Sequence, residues 1–230
     1  TMEEYVGLDV SKEETSFCVM DGTGKVLAEG KVASDPESIF EALRAHTLCP
    51  ARIVLETGTL SNWLARGLRG YGLAVDVIDA RQAHAVMKLQ HNKTDANDAH
   101  LLAGIARTGF CRSVSVNSEA AQKHRILIKA RRHLVSQKRT TENAIRGFLG
   151  SLGIRFPRGS GKLAKRVQAA LAERPELKPL IEPLLASAEA SKIQIKRLDE
   201  EVALAARALP DCQLLMTVPG VGPVTALAFA

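Results

Sequence analysis

Four acidic residues have the types and the spacing that metal-ion chemistry requires: Asp9, Glu56, Asp95 and Asp98. Asp9 interrupts an apolar, β-prone run, and Glu56 ends a second one. Asp95 and Asp98 stand three residues apart at the start of a predicted helix, so their side chains share one helical face. Several carboxylates brought together form the hard oxygen site that Mg²⁺ prefers. We therefore predict a catalytic Mg²⁺-binding tetrad, suited to phosphoryl transfer on nucleic acid.

Each acid also has a simpler interpretation. Asp95 and Asp98 lie in a first helical turn, where the helix dipole alone favours acidic residues. Glu56 precedes a glycine-containing segment and is compatible with the start of a solvated loop. Asp9 is harder to explain in this way, because it stands in a predicted buried strand and an unpaired buried carboxylate is costly. The combination of the four acids favours the metal site.

The order of predicted elements indicates how these acids come together. Three β-prone runs precede a helix that Asp35 and Pro36 begin, and strands and helices then alternate. The order is that of an α/β, RNase H-like (RuvC-like) fold, with a mixed sheet that helices cover on both faces. The predicted strands are 5–10, 15–20, 25–32, 51–55 and 73–78, and the predicted helices are 36–46, 61–70, 79–88 and 94–108.

The composition favours an anionic partner. The chain of 230 residues carries a net charge of +6, which is typical of proteins that bind nucleic acid. Its four cysteines, Cys18, Cys49, Cys111 and Cys212, are far apart, which argues against a disulfide framework and a zinc ribbon. We expect free thiols in a reducing cytoplasm. We also expect no membrane partner, because no apolar run reaches the roughly 18 residues that a spanning helix needs.

The positive charge is concentrated in residues 119–166, which contain thirteen basic residues and two acidic ones. Most of 119–149 is predicted to be one long helix, and this excess of cations exceeds what solvation requires. We interpret it as a surface for phosphate groups. The candidate nucleic-acid-binding residues are Lys123, Arg125, Lys129, Arg131, Arg132, Lys138, Arg139 and Arg146.

The sequence as a whole predicts four regions. Residues 1–118 form the catalytic domain, 119–175 the basic helical region and 176–210 a coiled-coil helix with alternating surface charges. Residues 211–230 read as a tight turn and the start of a further domain. Because the sequence stops within a predicted helix, we expect a C-terminal domain to be missing.

Four motifs of this chain resemble those of the IS110 family, the DEDD transposases or recombinases of bacterial insertion sequences. The acid block of the third motif is the most specific, and the last motif resembles a helix-hairpin-helix. Together the motifs extend over nearly the whole chain. They are Tyr5-Val6-Gly7-Leu8-Asp9-Val10-Ser11-Lys12, Val54-Leu55-Glu56-Thr57-Gly58, Lys93-Thr94-Asp95-Ala96-Asn97-Asp98-Ala99 and Val218-Pro219-Gly220-Val221-Gly222-Pro223.

The resemblance implies a RuvC-like domain whose acidic tetrad is Asp9, Glu56, Asp95 and Asp98, followed by a coiled-coil insertion and a C-terminal transposase domain. It implies donor and target DNA as substrates, a structured guide (bridge) RNA as partner, and a homodimer or larger homo-oligomer. It also implies a serine nucleophile in the C-terminal domain, expected beyond residue 230. A fragment without that serine should not complete recombination.

Three other functions remain open from the sequence. A structure-specific endonuclease of the Holliday-junction resolvase type uses the same acids without a serine, and a metal-dependent nick by this chain alone would favour it. An actin-like or sugar-kinase ATPase also begins with a β-meander and an aspartate on its first strand, and ATP binding would identify it. The third is a non-catalytic scaffold that binds RNA and dimerises.

Overall fold

The computed structural model describes residues 3–47, 49–87, 94–110, 112–157 and 162–229, with the side chains of 84–87 left out. The chain divides into two compact units, Thr1–Asn117 and Ser118–Ala230. The functional division into four regions stays a prediction. Several positions named above lie outside the described residues: Lys88, Lys93, Cys111 and the stretch 158–161.

Unit 1 is built on a mixed sheet whose order, in the described part of the chain, is β3-β2-β1-β4-β5-β6. The first three strands form an antiparallel meander, and β1 pairs in parallel with β4 and β4 with β5. The central position of β1 places both of its faces under cover. The bounds are β1 Glu4–Val10, β2 Glu14–Asp21, β3 Val26–Ala33, β4 Arg52–Glu56, β5 Val75–Ile78 and β6 Ser113–Val114.

Helices cover the two faces of this sheet. On one face α1 (Pro36–Arg44) and α2 (Ser61–Gly70) pack on alternate residues of β1 and β4, including Val6 and Leu8. Asp35 caps α1 by accepting a hydrogen bond from the Ser38 amide at 2.8 Å. On the other face lie α3 (Ala80–Met87) and α4 (Asp95–Thr108). The predicted RNase H-like fold class is confirmed.

Helix α4 lies directly against the backbone of β1 at Gly7. A Cβ atom there would lie 2.1 Å from the carbonyl oxygen of Ala99 and 2.2 Å from the amide nitrogen of Ala103, both on α4. Only a residue without a side chain allows this backbone-to-backbone contact. Tyr5, earlier in β1, packs with the later turns of α4, whereas Gly7 faces Ala99. The helix therefore runs opposite to β1, and its first turn lies towards the end of that strand.

Unit 2 is helical. Its two long helices, α5 (Glu119–Ser151) and α7 (Lys178–Ala208), pack as an antiparallel pair. At one end Leu127 of α5 packs with Val202 of α7, and at the other end Ile145 packs with Ile181. Arg131 and Asp199 form an ion pair between them. The shorter helices are α6 (Leu163–Glu173), α8 (Pro210–Leu215) and α9 (Pro223–Phe229).

None of the helices in the described ranges is long and apolar enough to cross a membrane.

The cysteines allow a test of how α4 docks on the sheet. Cys18 of β2 packs against Ala99 and Ala103 of α4 and is fully buried, and this burial raises the pKa of its thiol to about 11. Burial also raises the pKa of Cys212, whereas Cys49 is exposed. Because the thiolate is the reactive form, we expect only Cys49 to react promptly with an aromatic disulfide at pH 8 in a Cys111→Ser variant. Absorbance and peptide mapping measure this, and prompt labelling of Cys18 would contradict the packing.

Candidate metal centre

Asp9 and Glu56 end neighbouring parallel strands on the same face of the sheet. Leu8 pairs with Leu55 in the β1–β4 register, so the two acids are the next residues along each strand. Side chains alternate along a strand, and Gly7 and Val54, two positions earlier, face α4. Asp9 and Glu56 therefore point to the α4 side, on strands about 4.8 Å apart. Both side chains are half-buried.

The two acids line one cavity with a volume of about 360 Å³. One wall is the turn after β1, with Ser11 and Lys12, and another is the loop 57–61 after β4. The loop is held by Ser61, whose hydroxyl donates to the Gly58 carbonyl oxygen at 2.9 Å and accepts from the Gly58 amide at 3.1 Å. The cavity is thus a built recess beside two strand-end carboxylates.

Asp98 lies in the first turns of α4, the helix that contacts Gly7. Thr94 caps this helix by accepting a hydrogen bond from the Asn97 amide at 3.2 Å. Asp98 is 9% exposed, and its neighbour Ala99 is one of the three residues whose backbone meets Gly7. The close helix–strand contact therefore positions the first turns of α4, which carry Asp98, towards the end of β1.

Asp95 is directed to a different partner. Its carboxylate accepts a 2.7 Å hydrogen bond from the Lys31 ammonium, and both side chains are about half exposed. Lys31 belongs to the same row across the sheet as Asp9, because Asp9 pairs with Ser16 and Ser16 with Lys31. The hydrogen bond to Asp95 and the negative charge of that carboxylate raise the pKa of Lys31, and Glu14 and Asp9 make smaller contributions in the same direction. Lys31 is thus a counterion at the edge of the acidic site.

The donor set fits a hard divalent cation. Asp9 and Glu56 supply carboxylate oxygens at adjacent strand ends, the ligand type that hard divalent cations such as Mg²⁺ prefer. Among the described residues, however, no group of three or more acidic, histidine or cysteine side chains lies close enough to hold one ion. In the described side-chain positions the four predicted acids therefore do not form one ligand set, and Asp95 contacts Lys31 instead.

Sequence reasoning missed two residues that shape this site. Gly7 permits the contact that positions Asp98, and a glycine in the middle of a buried strand is a recognisable signal for close backbone approach. Lys31 has no comparable signal, because its contact with Asp95 depends on the β2–β3 register and spans 64 residues of sequence.

The cations of the basic helix α5 fall into two sets, those that are paired or partly buried and those that are exposed. Arg131 pairs with Asp199, Lys138 with Glu142 at 2.6 Å, and Lys123 with Glu119 at 2.7 Å. Arg146 is partly buried beside Ile145. The other four predicted residues are exposed and, within the described ranges, have no acidic partner. They share the face opposite α7, and we call them the α5 basic ridge: Arg125, Lys129, Arg132 and Arg139.

The sheet order, the strand-end carboxylates and the helix that carries Asp98 define the chain as a member of the RNase H-like class. The chain matches the family model of the IS110-type DEDD transposases, described as "Transposase", over residues 6–154. It belongs to this family, which confirms the resemblance stated from its motifs. The acids Asp9, Glu56, Asp95 and Asp98 all lie within the matched range.

Two curated relatives are similar along almost the whole chain. The transposase for insertion sequence element IS1111A of Coxiella burnetii is 27% identical over 98% of this chain and 62% of the relative. The transposase for IS1328 of Yersinia enterocolitica is 25% identical over 98% of this chain and 66% of the relative. The chain therefore spans about two thirds of the length of these relatives.

Proposed function

We propose that this chain acts in a DNA transposase or recombinase of an insertion sequence and contains its metal-dependent acidic site. The observation that carries the proposal is the single cavity that Asp9 and Glu56 line at adjacent strand ends, and the backbone contact between α4 and Gly7 supports a place for Asp98 beside it. Membership of the DEDD transposase family supports the same reading over a resolvase-like nuclease, an ATPase or a non-catalytic scaffold.

We assign the four acids different roles according to their positions. Asp9 and Glu56 would hold a divalent ion, Mg²⁺ in our proposal, and Asp98 would complete its coordination from α4. When bound, such an ion polarises a scissile phosphate and activates the attacking oxygen. Asp95 joins the set when its carboxylate leaves Lys31, so the Lys31–Asp95 pair competes with metal binding. The serine nucleophile stays an expectation for the C-terminal domain.

Nucleic acid would bind along the α5 basic ridge. Its four cations recur at intervals of four, three and seven residues, which aligns them over about 21 Å of helix. Such a row suits successive phosphates of a backbone and does not read sequence by itself. We propose donor and target DNA and a structured guide RNA as partners, in a homodimer or larger homo-oligomer.

The ridge gives a salt-dependence prediction. Joint replacement of Arg125, Lys129, Arg132 and Arg139 by Ala should weaken RNA binding and lower the slope of log K against log salt by about 3, since each phosphate contact contributes about 0.7 to 0.9. Fluorescence anisotropy across a salt series measures both quantities.

The matched control removes equal charge from the partner helix. Replacement of Lys192, Lys196, Arg197 and Arg207 of α7 by Ala should leave the slope near that of the wild type, because these exposed residues lie outside the ridge. Equal losses in both variants would show that net charge alone determines binding and would refute the ridge.

Guidance by RNA is tested by competition. We expect tight, selective binding to the structured RNA that flanks the coding region of the chain, and weaker binding to a scrambled RNA of the same length. Equal affinity for both RNAs would exclude a guide that this chain recognises, while leaving the acidic site to be tested separately.

A further inference from the structure

Lys12 is a cation in the wall of the acidic cavity. The charged side chains among the described residues that line this cavity are Asp9, Glu56 and Lys12. Lys12 is exposed, and within the described part of the chain it forms no ion pair. Its charge thus stands in the recess that the two carboxylates make negative.

The turn that carries Lys12 is fixed by hydrogen bonds. The Ser11 hydroxyl donates to the Glu14 carbonyl oxygen at 2.6 Å and accepts from the Glu14 amide at 3.3 Å. The Ser11 carbonyl oxygen accepts from the Ser34 hydroxyl at 2.9 Å, and that hydroxyl also bonds Thr15 at 2.7 Å. These contacts tie the turn to the start of β2 and the end of β3, so the backbone of Lys12 is held at the mouth of the cavity.

A nucleic-acid phosphate that enters this cavity comes close to two carboxylates of the same charge. Its negative charge is repelled by Asp9 and Glu56 at short range, and partial exclusion of water strengthens that repulsion. A cation that lines the same cavity offsets it, and an ammonium group is a compact donor for a single phosphate oxygen. Lys12 has the charge and the place for this contact.

We propose that Lys12 binds the scissile phosphate, its ammonium group donating to a non-bridging oxygen of the phosphodiester while Asp9 and Glu56 face that phosphate from the strand ends. This inference rests on the proposed function and adds a substrate-binding residue to it. Lys12 is not a metal ligand in this arrangement, so substrate affinity and metal affinity separate on its replacement.

The test compares Lys12→Met, Lys12→Arg and a control, Lys25→Met. Lys25 is also exposed and lies in the turn at the other end of β2, so its loss removes the same charge at a distance from the cavity. The probes are Mn²⁺, followed by electron paramagnetic resonance, and a short fluorescein-labelled DNA strand, followed by anisotropy with and without Mn²⁺. Circular dichroism confirms that each variant is folded.

We expect Lys12→Met to bind Mn²⁺ as the wild type does and to bind the strand about tenfold more weakly when Mn²⁺ is present, the effect of losing one charged hydrogen bond. Lys12→Arg should keep most of the affinity, and Lys25→Met should match the wild type. Wild-type strand affinity in Lys12→Met, or an equal loss in Lys25→Met, would overturn the proposal. If the wild type binds the strand but no Mn²⁺, the metal site of the proposed function fails, and the Lys12→Met comparison without Mn²⁺ still decides the phosphate contact.

Discussion

Gly7→Ala should destabilise unit 1 by about 3 kcal/mol or more, the upper end of the range for overpacked cores. The added methyl group would lie within 2.2 Å of two backbone atoms of α4, and neither atom can move without displacing the helix. The expected result is a large drop in the urea midpoint of unfolding. Because α4 also covers Cys18, its thiol should become reactive under native conditions.

Gly104→Ala is the matched control on the same helix. A Cβ atom at Gly104 has open space around it, so the substitution changes only helix propensity and should stabilise the protein by up to about 1 kcal/mol. If Gly7→Ala is as stable as the wild type and keeps Cys18 protected, then α4 does not approach β1 as described and the position of Asp98 is wrong.

Replacement of either Asp9 or Asp98 by asparagine should abolish transposition. In the full-length transposase we expect Asp9→Asn or Asp98→Asn to lower recombination at least about a thousandfold, because metal-centred charge stabilisation is worth several kcal/mol. Asparagine has nearly the same shape as aspartate, so the fold and the thermal midpoint should change little. A cell-based excision assay with junction sequencing measures the effect.

Glu41→Gln is the control for this prediction. Glu41 is an exposed acid on α1, outside the cavity-lining set, and its loss should leave recombination intact. Normal recombination in both Asp9→Asn and Asp98→Asn would remove these acids from the catalytic site. Loss of activity together with loss of folding would assign them a structural role.

The sequence predicted most of unit 1 because its signals are local. The helix 61–70 has the predicted bounds, and the capping side chain of Asp35 begins its helix as expected. Strand β6 was missed because two residues are too few to carry a periodic pattern. Helix α6 was also missed, since only Leu163, Val167 and Leu171 form its buried stripe.

The acidic site was predicted less completely. Strand ends were enough to predict that Asp9 and Glu56 lie together, and they line one cavity, whereas the convergence of all four acids on one ion stays a prediction. Sequence patterns could not reveal that Asp95 pairs with Lys31, because that contact depends on strand register and side-chain rotamers. Nor could composition separate the ridge cations of α5 from Arg131, whose ion pair with Asp199 requires the antiparallel packing of α7.

The most direct test of the metal centre is a Mn²⁺ titration of this chain followed by electron paramagnetic resonance, with Mg²⁺ as competitor. The wild type should bind Mn²⁺ in a Mg²⁺-competitive manner, and Asp9→Asn and Glu56→Gln should each weaken that binding strongly, while Glu41→Gln leaves it unchanged. Equal Mn²⁺ binding by the wild type and both site variants would contradict the assignment of the acidic cavity as the metal centre.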